Sequence, residues 1–156
     1  MADTRFLKSK VEEYVRGWLE QRFGKPFRKV KLPLSGVQGE PKDHEFDAVS
    51  EDGPIVCGIA SSSWTTSGGK RGAGKIAKAY MEIYFLSLVA AKAKFLVLTD
   101  GEFFRRLSRE AQGKLAVGIG LLYCELPDAL AEEVAAIRTK SRRELGSDAL
   151  RGYSDS

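Results

Sequence analysis

His44–Ser62, HEFDAVSEDGPIVCGIASS, is the stretch whose reading decides the fold. Two segments with apolar residues, HEFDAVS and PIVCGIAS, flank Glu51-Asp52-Gly53. An Asp-Gly between such segments is the strongest short-range hairpin signal. In the first strand, alternation puts Phe46 and Ala48 on one face and Glu45, Asp47 and Val49 on the other. Strand propensity disfavours both acids. Asp47 stands mid-strand, where a hairpin has no use for it, and is therefore the first candidate functional residue.

Working outward, the spacing predicts a helix capped by Thr4 and running to about Phe23. Its apolar stripe is Phe6, Leu7, Val11, Tyr14, Val15, Trp18 and Leu19, and Gly24 and Pro26 end it. Phe27–Leu34 alternates at Val30, Leu32 and Leu34, and Pro33 suits an edge strand. Downstream of the hairpin, Ser61–Ala73 is a loop rich in Ser, Thr and Gly, and Gly74–Lys92 is a helix apolar on most sides. Lys94–Thr99 reads as a strand buried on both faces, Glu102–Leu115 as an amphipathic helix and Ile119–Leu126 as a further strand. The unit from Phe95 to Leu126 implies parallel pairing. A last helix opens at Pro127-Asp128 and runs to about Leu145, carrying Arg138, Lys140, Arg142 and Arg143. The expected fold is α/β, a mixed central sheet in α-β-β-β-α-β order with an added α-β-α at the C-terminus. Residues 1–146 form one domain and 147–156 a polar tail.

This order, with Asp47 on the second strand, resembles the PD-(D/E)XK nuclease superfamily, the restriction-endonuclease-like fold. The resemblance covers about residues 5 to 100. It implies a divalent metal, Mg²⁺, held by Asp47 and by an (Asp/Glu)-x-Lys element on the next strand. That element falls on Gly58-Ile59-Ala60-Ser61, and no carboxylate or lysine lies between Pro54 and Ser63. The resemblance further implies two kinds of replacement. Glu13 is a candidate acid from the first helix. On the helix after the loop, Glu82 is a candidate for the missing acid, and Lys75 or Lys78 for the missing lysine. Lys75, Lys78 and Glu82 fall on one polar stripe, which an ordinary Lys78–Glu82 pair also explains.

The composition is that of an ordinary globular chain: 156 residues, 43% hydrophobic, 29% charged, net charge +4. The longest apolar run, Tyr80–Ala91, contains Glu82 and is far short of the roughly 20 residues a membrane span needs. Met1-Ala2-Asp3-Thr4 is unlike a secretory leader, so the expected location is cytoplasmic. Cys57 and Cys124 lack metal or disulfide spacing and read as core residues. His44, the sole histidine, has no triad or metal constellation around it. It reads as a satisfied or exposed side chain.

Residues 1–31 carry nine Lys/Arg against four Asp/Glu, and the other 125 carry sixteen against seventeen. The excess sits at Arg22, Lys25, Arg28, Lys29 and Lys31, a candidate phosphate-facing edge. In the 61–73 loop, Trp64 is a candidate for stacking on a base, with Lys70 and Arg71 beside it. Gly69–Ile76 is one residue from a P-loop pattern, but Ile76 replaces the metal-binding hydroxyl and a long loop precedes the first glycine.

The reading from sequence is a nuclease-fold protein that binds nucleic acid through Arg28, Lys29, Trp64, Lys70, Arg71, Lys75 and Lys78, with an incomplete metal site. The alternative is an active Mg²⁺-dependent endonuclease built on Asp47 with Glu45 or Glu82 as second acid and Lys70 or Lys75 as the cation. Glu45 is the candidate second metal ligand, being two residues from Asp47 on the same strand. An interaction domain without nucleic-acid binding, or a P-loop nucleotide binder, are the other classes. A homodimer is compatible with all of them.

Overall fold

A computed structural model describes residues 2–64 and 73–136. The elements follow the expected order: α1 (Ala2–Phe23), β1 (Phe27–Pro33), β2 (Asp43–Ser50), β3 (Ile55–Ala60), α2 (Ala73–Ser87), β4 (Ala93–Leu98), α3 (Gly101–Glu110) and β5 (Ile119–Tyr123). Residues 128–136 are helical. The five strands form one sheet in the order β1-β2-β3-β4-β5. The first three pair antiparallel and β3, β4 and β5 pair parallel, so the molecule is mixed α/β with a central mixed sheet.

Each face of the sheet has its own core. On one face, Leu7, Val11, Val15 and Leu19 of α1 cover Ala48, Ile55, Cys57, Ile59 and Val97. On the other, Ala79, Ile83 and Leu86 of α2 and Phe103 and Leu107 of α3 cover Phe46, Val49, Val56, Leu96 and Leu98. Because β4 is covered on both sides, its apolar run shows no alternation. Phe6 and Tyr14, at the margin of the α1 stripe, are exposed instead. No helix among the described residues is long and apolar enough to cross a membrane.

The hairpin differs from strict alternation. Between Arg28 and Val30, β1 advances two residues, while β2 goes from Val49 to Phe46, an advance of three. Strand β2 therefore carries a bulge, with Asp47 and Ala48 opposite Lys29. The extra residue shifts the alternation, so Phe46 and Val49 share a face and Ala48 lies on the other. The expected pairing of Phe46 with Ala48 is thereby corrected.

Boundaries also move where tertiary hydrogen bonds intervene. Helix α1 begins at Ala2, so Thr4 lies inside it rather than capping it. Helix α2 stops at Ser87 instead of Lys92, since the backbone N–H and Oγ of Ser35 both donate to the Leu88 carbonyl. Helix α3 ends at Glu110, before the turn at Gly113, whose φ is 78°. The turn joining β2 to β3 is as the sequence implied: Gly53 has φ 90° and its N–H donates to the Ser50 carbonyl at 2.8 Å. Cys57 and Cys124 are buried in the α1-side core, where burial pushes both thiols up to about 12. His44 is neither exposed nor hydrogen-bonded through Nε2; its ring stacks on Phe85 at 4.2 Å and meets Phe46 edge-on at 4.8 Å. The segments 65–72 and 137–156 lie outside the described residues. Lys70, Arg71, the expected end of the last helix with Arg138–Arg143, and the expected tail fall there.

Candidate functional site

Asp47 stands where β2 and β3 part. The two strands pair at Val49↔Val56 and Ala48↔Cys57. One step further, the Ile59 N–H donates to Oδ2 of Asp47 at 2.8 Å rather than to the β2 backbone. The carboxylate thus takes over a ladder hydrogen bond and lies in the sheet opening. The bulge is what turns it there, since a regular strand would keep Asp47 in alternation with Phe46 and Ala48.

Two further acids approach the opening, one from each face. Glu12 comes from α1, flanked by Val11 and Val15, and is only 4% exposed. Lys29 of β1 holds it, Nζ to Oε1 3.2 Å. Glu82 comes from α2 and lies over Gly58: a Cβ added to that glycine would meet Oε2 of Glu82 at 3.4 Å and Leu96 at 3.3 Å. Burial pushes the Asp47 carboxyl up, the Ile59 amide opposes this, the charges of Glu12 and Glu82 push it further, and Lys29 pulls it back. Arg16, one turn along α1 from Glu12, donates from Nη1 to the Asp47 carbonyl at 3.0 Å.

The residues expected from sequence divide accordingly. Glu82 is among the charges acting on Asp47. Glu45 is exposed, opposite Lys31 in the β1–β2 register, and does not figure among the charges acting on Asp47. Glu13 is exposed as well. The acid that α1 turns inward is Glu12, which is three residues from Val15 and seven from Leu19. That helical spacing was a legible signal for an inward position. Lys29, expected to face phosphate, is instead tied to Glu12. Arg16 gave no sequence signal, because its partner is a backbone carbonyl distant in sequence. Lys78 is exposed and Lys75 half-buried, while Arg28 is exposed on β1.

Trp64 is half-buried. Its ring lies 6.1 Å from Phe103 and carries the Arg106 guanidinium at 5.4 Å. Its backbone N–H donates to Oδ2 of Asp100 at 3.1 Å, the same oxygen that caps α3 through the Phe103 N–H at 2.9 Å. The ring therefore packs within the protein, against Phe103 and Arg106. Of the basic stretch, Lys25 pairs with Asp52 at 3.0 Å, while Arg22, which lies over Trp18 at 5.5 Å, Arg28 and Lys31 are its exposed charges without a described ion pair.

The acids nearest the opening offer hard oxygen: the Asp47 carboxylate and Oε2 of Glu82. Such a set suits Mg²⁺ or Mn²⁺, which need only one or two carboxylates and fill the rest of the shell with water and phosphate oxygens. Among the described residues, no three His, Cys, Asp or Glu side chains are gathered tightly enough to enclose an ion unaided. Comparison with family models, curated proteins and solved structures gave no match.

Proposed function

We propose that the protein binds nucleic acid and hydrolyses its phosphodiester backbone with a divalent cation, as a member of the restriction-endonuclease-like superfamily whose missing strand acid has been replaced from α2. One observation carries this reading. The Glu82 carboxylate lies over Gly58, the position from which the superfamily's acid would project, and it acts on Asp47 electrostatically. Glu82 Oε2 would be in ordinary contact with a Cβ at position 58, so its carboxylate occupies the ground above that strand position.

Asp47 and Glu82 would hold the ion. When bound, it polarises a phosphoryl oxygen and acidifies water. Asp47 is oriented for this by the Ile59 amide and by Arg16 on its own carbonyl. Arg28 and Lys31, exposed on the neighbouring strand, supply charge for the phosphate backbone.

The test joins a binding assay to a cleavage assay. Labelled single- and double-stranded DNA and RNA should bind at low salt, with affinity falling as salt rises. Addition of Mg²⁺ or Mn²⁺ should produce cleavage that Asp47→Ala and Glu82→Gln each abolish. Absence of any binding at low salt would remove the reading. A second reading, a nucleic-acid binder that does not cut, is favoured by Ala60, which stands where the superfamily carries its lysine. Salt-dependent binding without metal-dependent cleavage would select it.

A further inference from the structure

We propose that the outer edge of β5 pairs antiparallel with β5 of a second copy of this chain, joining the two sheets across a two-fold axis at Leu121. The pairing is independent of the metal-site reading above.

Strands β1 and β5 form the two edges of the sheet, and they are built differently. Strand β1 exposes Arg28, Lys29 and Lys31 and contains Pro33, the charges and proline that keep an edge from pairing. Strand β5, Ile119-Gly120-Leu121-Leu122-Tyr123, carries neither charge nor proline, and its register against β4 is regular. A bare apolar edge of this kind invites another strand.

Pairing with β4 fixes which backbone groups point outward. The Lys94 N–H donates to the Gly118 carbonyl at 3.2 Å, and the Cys124 N–H to the Leu98 carbonyl at 2.9 Å. Alternate residues of a strand face the same neighbour, so residues 118, 120, 122 and 124 turn their backbone to β4. Ile119, Leu121 and Tyr123 turn theirs away from it. Among the described residues, nothing bonds the outward amides of Leu121 and Tyr123, whereas the Ile119 N–H donates to the Ala116 carbonyl at 3.1 Å.

A second copy uses every one of these donors. With Leu121 on the axis, the two Leu121 residues exchange both backbone hydrogen bonds, and each Tyr123 N–H meets the Ile119 carbonyl of the other copy. That register sets Tyr123, which is 38% exposed, across from Ile119, an aromatic–β-branched pair of the kind that stabilises neighbouring strands. Charge is complementary as well. The segment leading into β5, residues 109–114, exposes Arg109 and Lys114 against Glu110, and the segment leaving it, residues 124–128, exposes Glu125 and Asp128. Antiparallel copies bring net positive beside net negative at both ends.

Sedimentation velocity of the full chain tests this. A five-residue edge lies at the small end of interface sizes, so a dissociation constant of about 10 µM is expected. Between about 1 and 200 µM, monomer should give way to dimer and stop there, because the guarded β1 edge does not extend the sheet. Leu121→Lys sets two ammonium groups against each other at the axis, and Tyr123→Pro removes an outward N–H without touching the β4 ladder. Both variants should stay monomeric at the highest concentration, while Arg28→Ala, on the other edge, should dimerise as wild type does. Amide exchange gives a second readout: Leu121 and Tyr123 should gain protection as concentration rises. Monomer throughout overturns the proposal, and so does a dimer that both variants retain or a series of larger assemblies. Protection of Leu121 and Tyr123 that is independent of concentration also overturns it, since the same chain then covers the edge. If either variant fails to fold, exchange in the wild-type chain still decides.

Discussion

Strands β2 and β4 flank β3 in one sheet, yet they are built differently. Strand β4 keeps regular register with both neighbours, from Ala93 to Leu98 against β3 and from Lys94 to Leu98 against β5. Its Leu96, Val97 and Leu98 are fully buried. Strand β2 slips its register against β1, pairs with β3 at only two positions and puts a carboxylate into the gap. The helices repeat the contrast. Helix α3 turns only Phe103 and Leu107 inward, whereas α1 turns Glu12 in among its aliphatic residues. Where packing alone is needed, local pattern and global fold agree. Where Asp47 feels the charges of Glu12 and Glu82, the chain departs from regular pairing and tolerates that repulsion, which is the expected mark of a functional site.

The largest effect should come from the regular strand. Leu96→Ala removes a side chain buried between α2 and β3 and should cost about 2–5 kcal/mol in urea denaturation. A cost below that of the substitutions that follow would erase the distinction between scaffold and site. Next, Asp100→Ala removes both the α3 cap and the Trp64 tether and should cost about 1–2 kcal/mol. Its Trp64 fluorescence should shift as well, because the indole loses its fixed place against Phe103 and Arg106.

Gly58→Ala sharpens the contrast at the boundary. The added methyl group would lie 3.3 Å from Leu96 and 3.4 Å from Glu82. A stability cost of about 1 kcal/mol is expected, as for mild overpacking. Mn²⁺ affinity should hold, because the methyl makes only ordinary contact with Glu82 and the strain falls on Leu96.

The smallest effect has the opposite sign. The Asp47 carboxyl is raised above its ordinary value of 3.8, first by burial and then by Glu12 and Glu82. An acid raised in the folded state holds its proton more tightly there than in the unfolded chain. It therefore costs stability above the raised value, and that cost fades as pH falls towards 3.8. Asp47→Asn should accordingly be more stable than wild type at pH 7 in EDTA, with the advantage shrinking on acidification. Denaturation midpoints at pH 7 and pH 4 measure it. A variant less stable at pH 7 would make Asp47 a structural residue like those of β4.

The apolar periodicities, the Asp-Gly turn and the unalternating FLVL run were enough to give the element order and the mixed sheet, because local patterning and turn chemistry are written in neighbouring residues. Asp47 was conspicuous for a related reason, a charge inside a strand pattern. The site around it was less legible. Glu82 was visible as a polar residue on an apolar helix, but an ordinary pair with Lys78 explained it equally well. Glu12 had the inward spacing and was passed over for its neighbour Glu13. Lys29 reads from sequence as a phosphate-facing cation, because its partner Glu12 lies far from it in the chain. What the sequence by itself determined was which faces are apolar and in what order the elements come. Tertiary structure alone decided that a one-residue slip in β2 sets Asp47 against Lys29, and that Glu12 and Glu82 act on Asp47 electrostatically. Contacts between residues so far apart in the chain depend on register and helix docking, which no local pattern encodes.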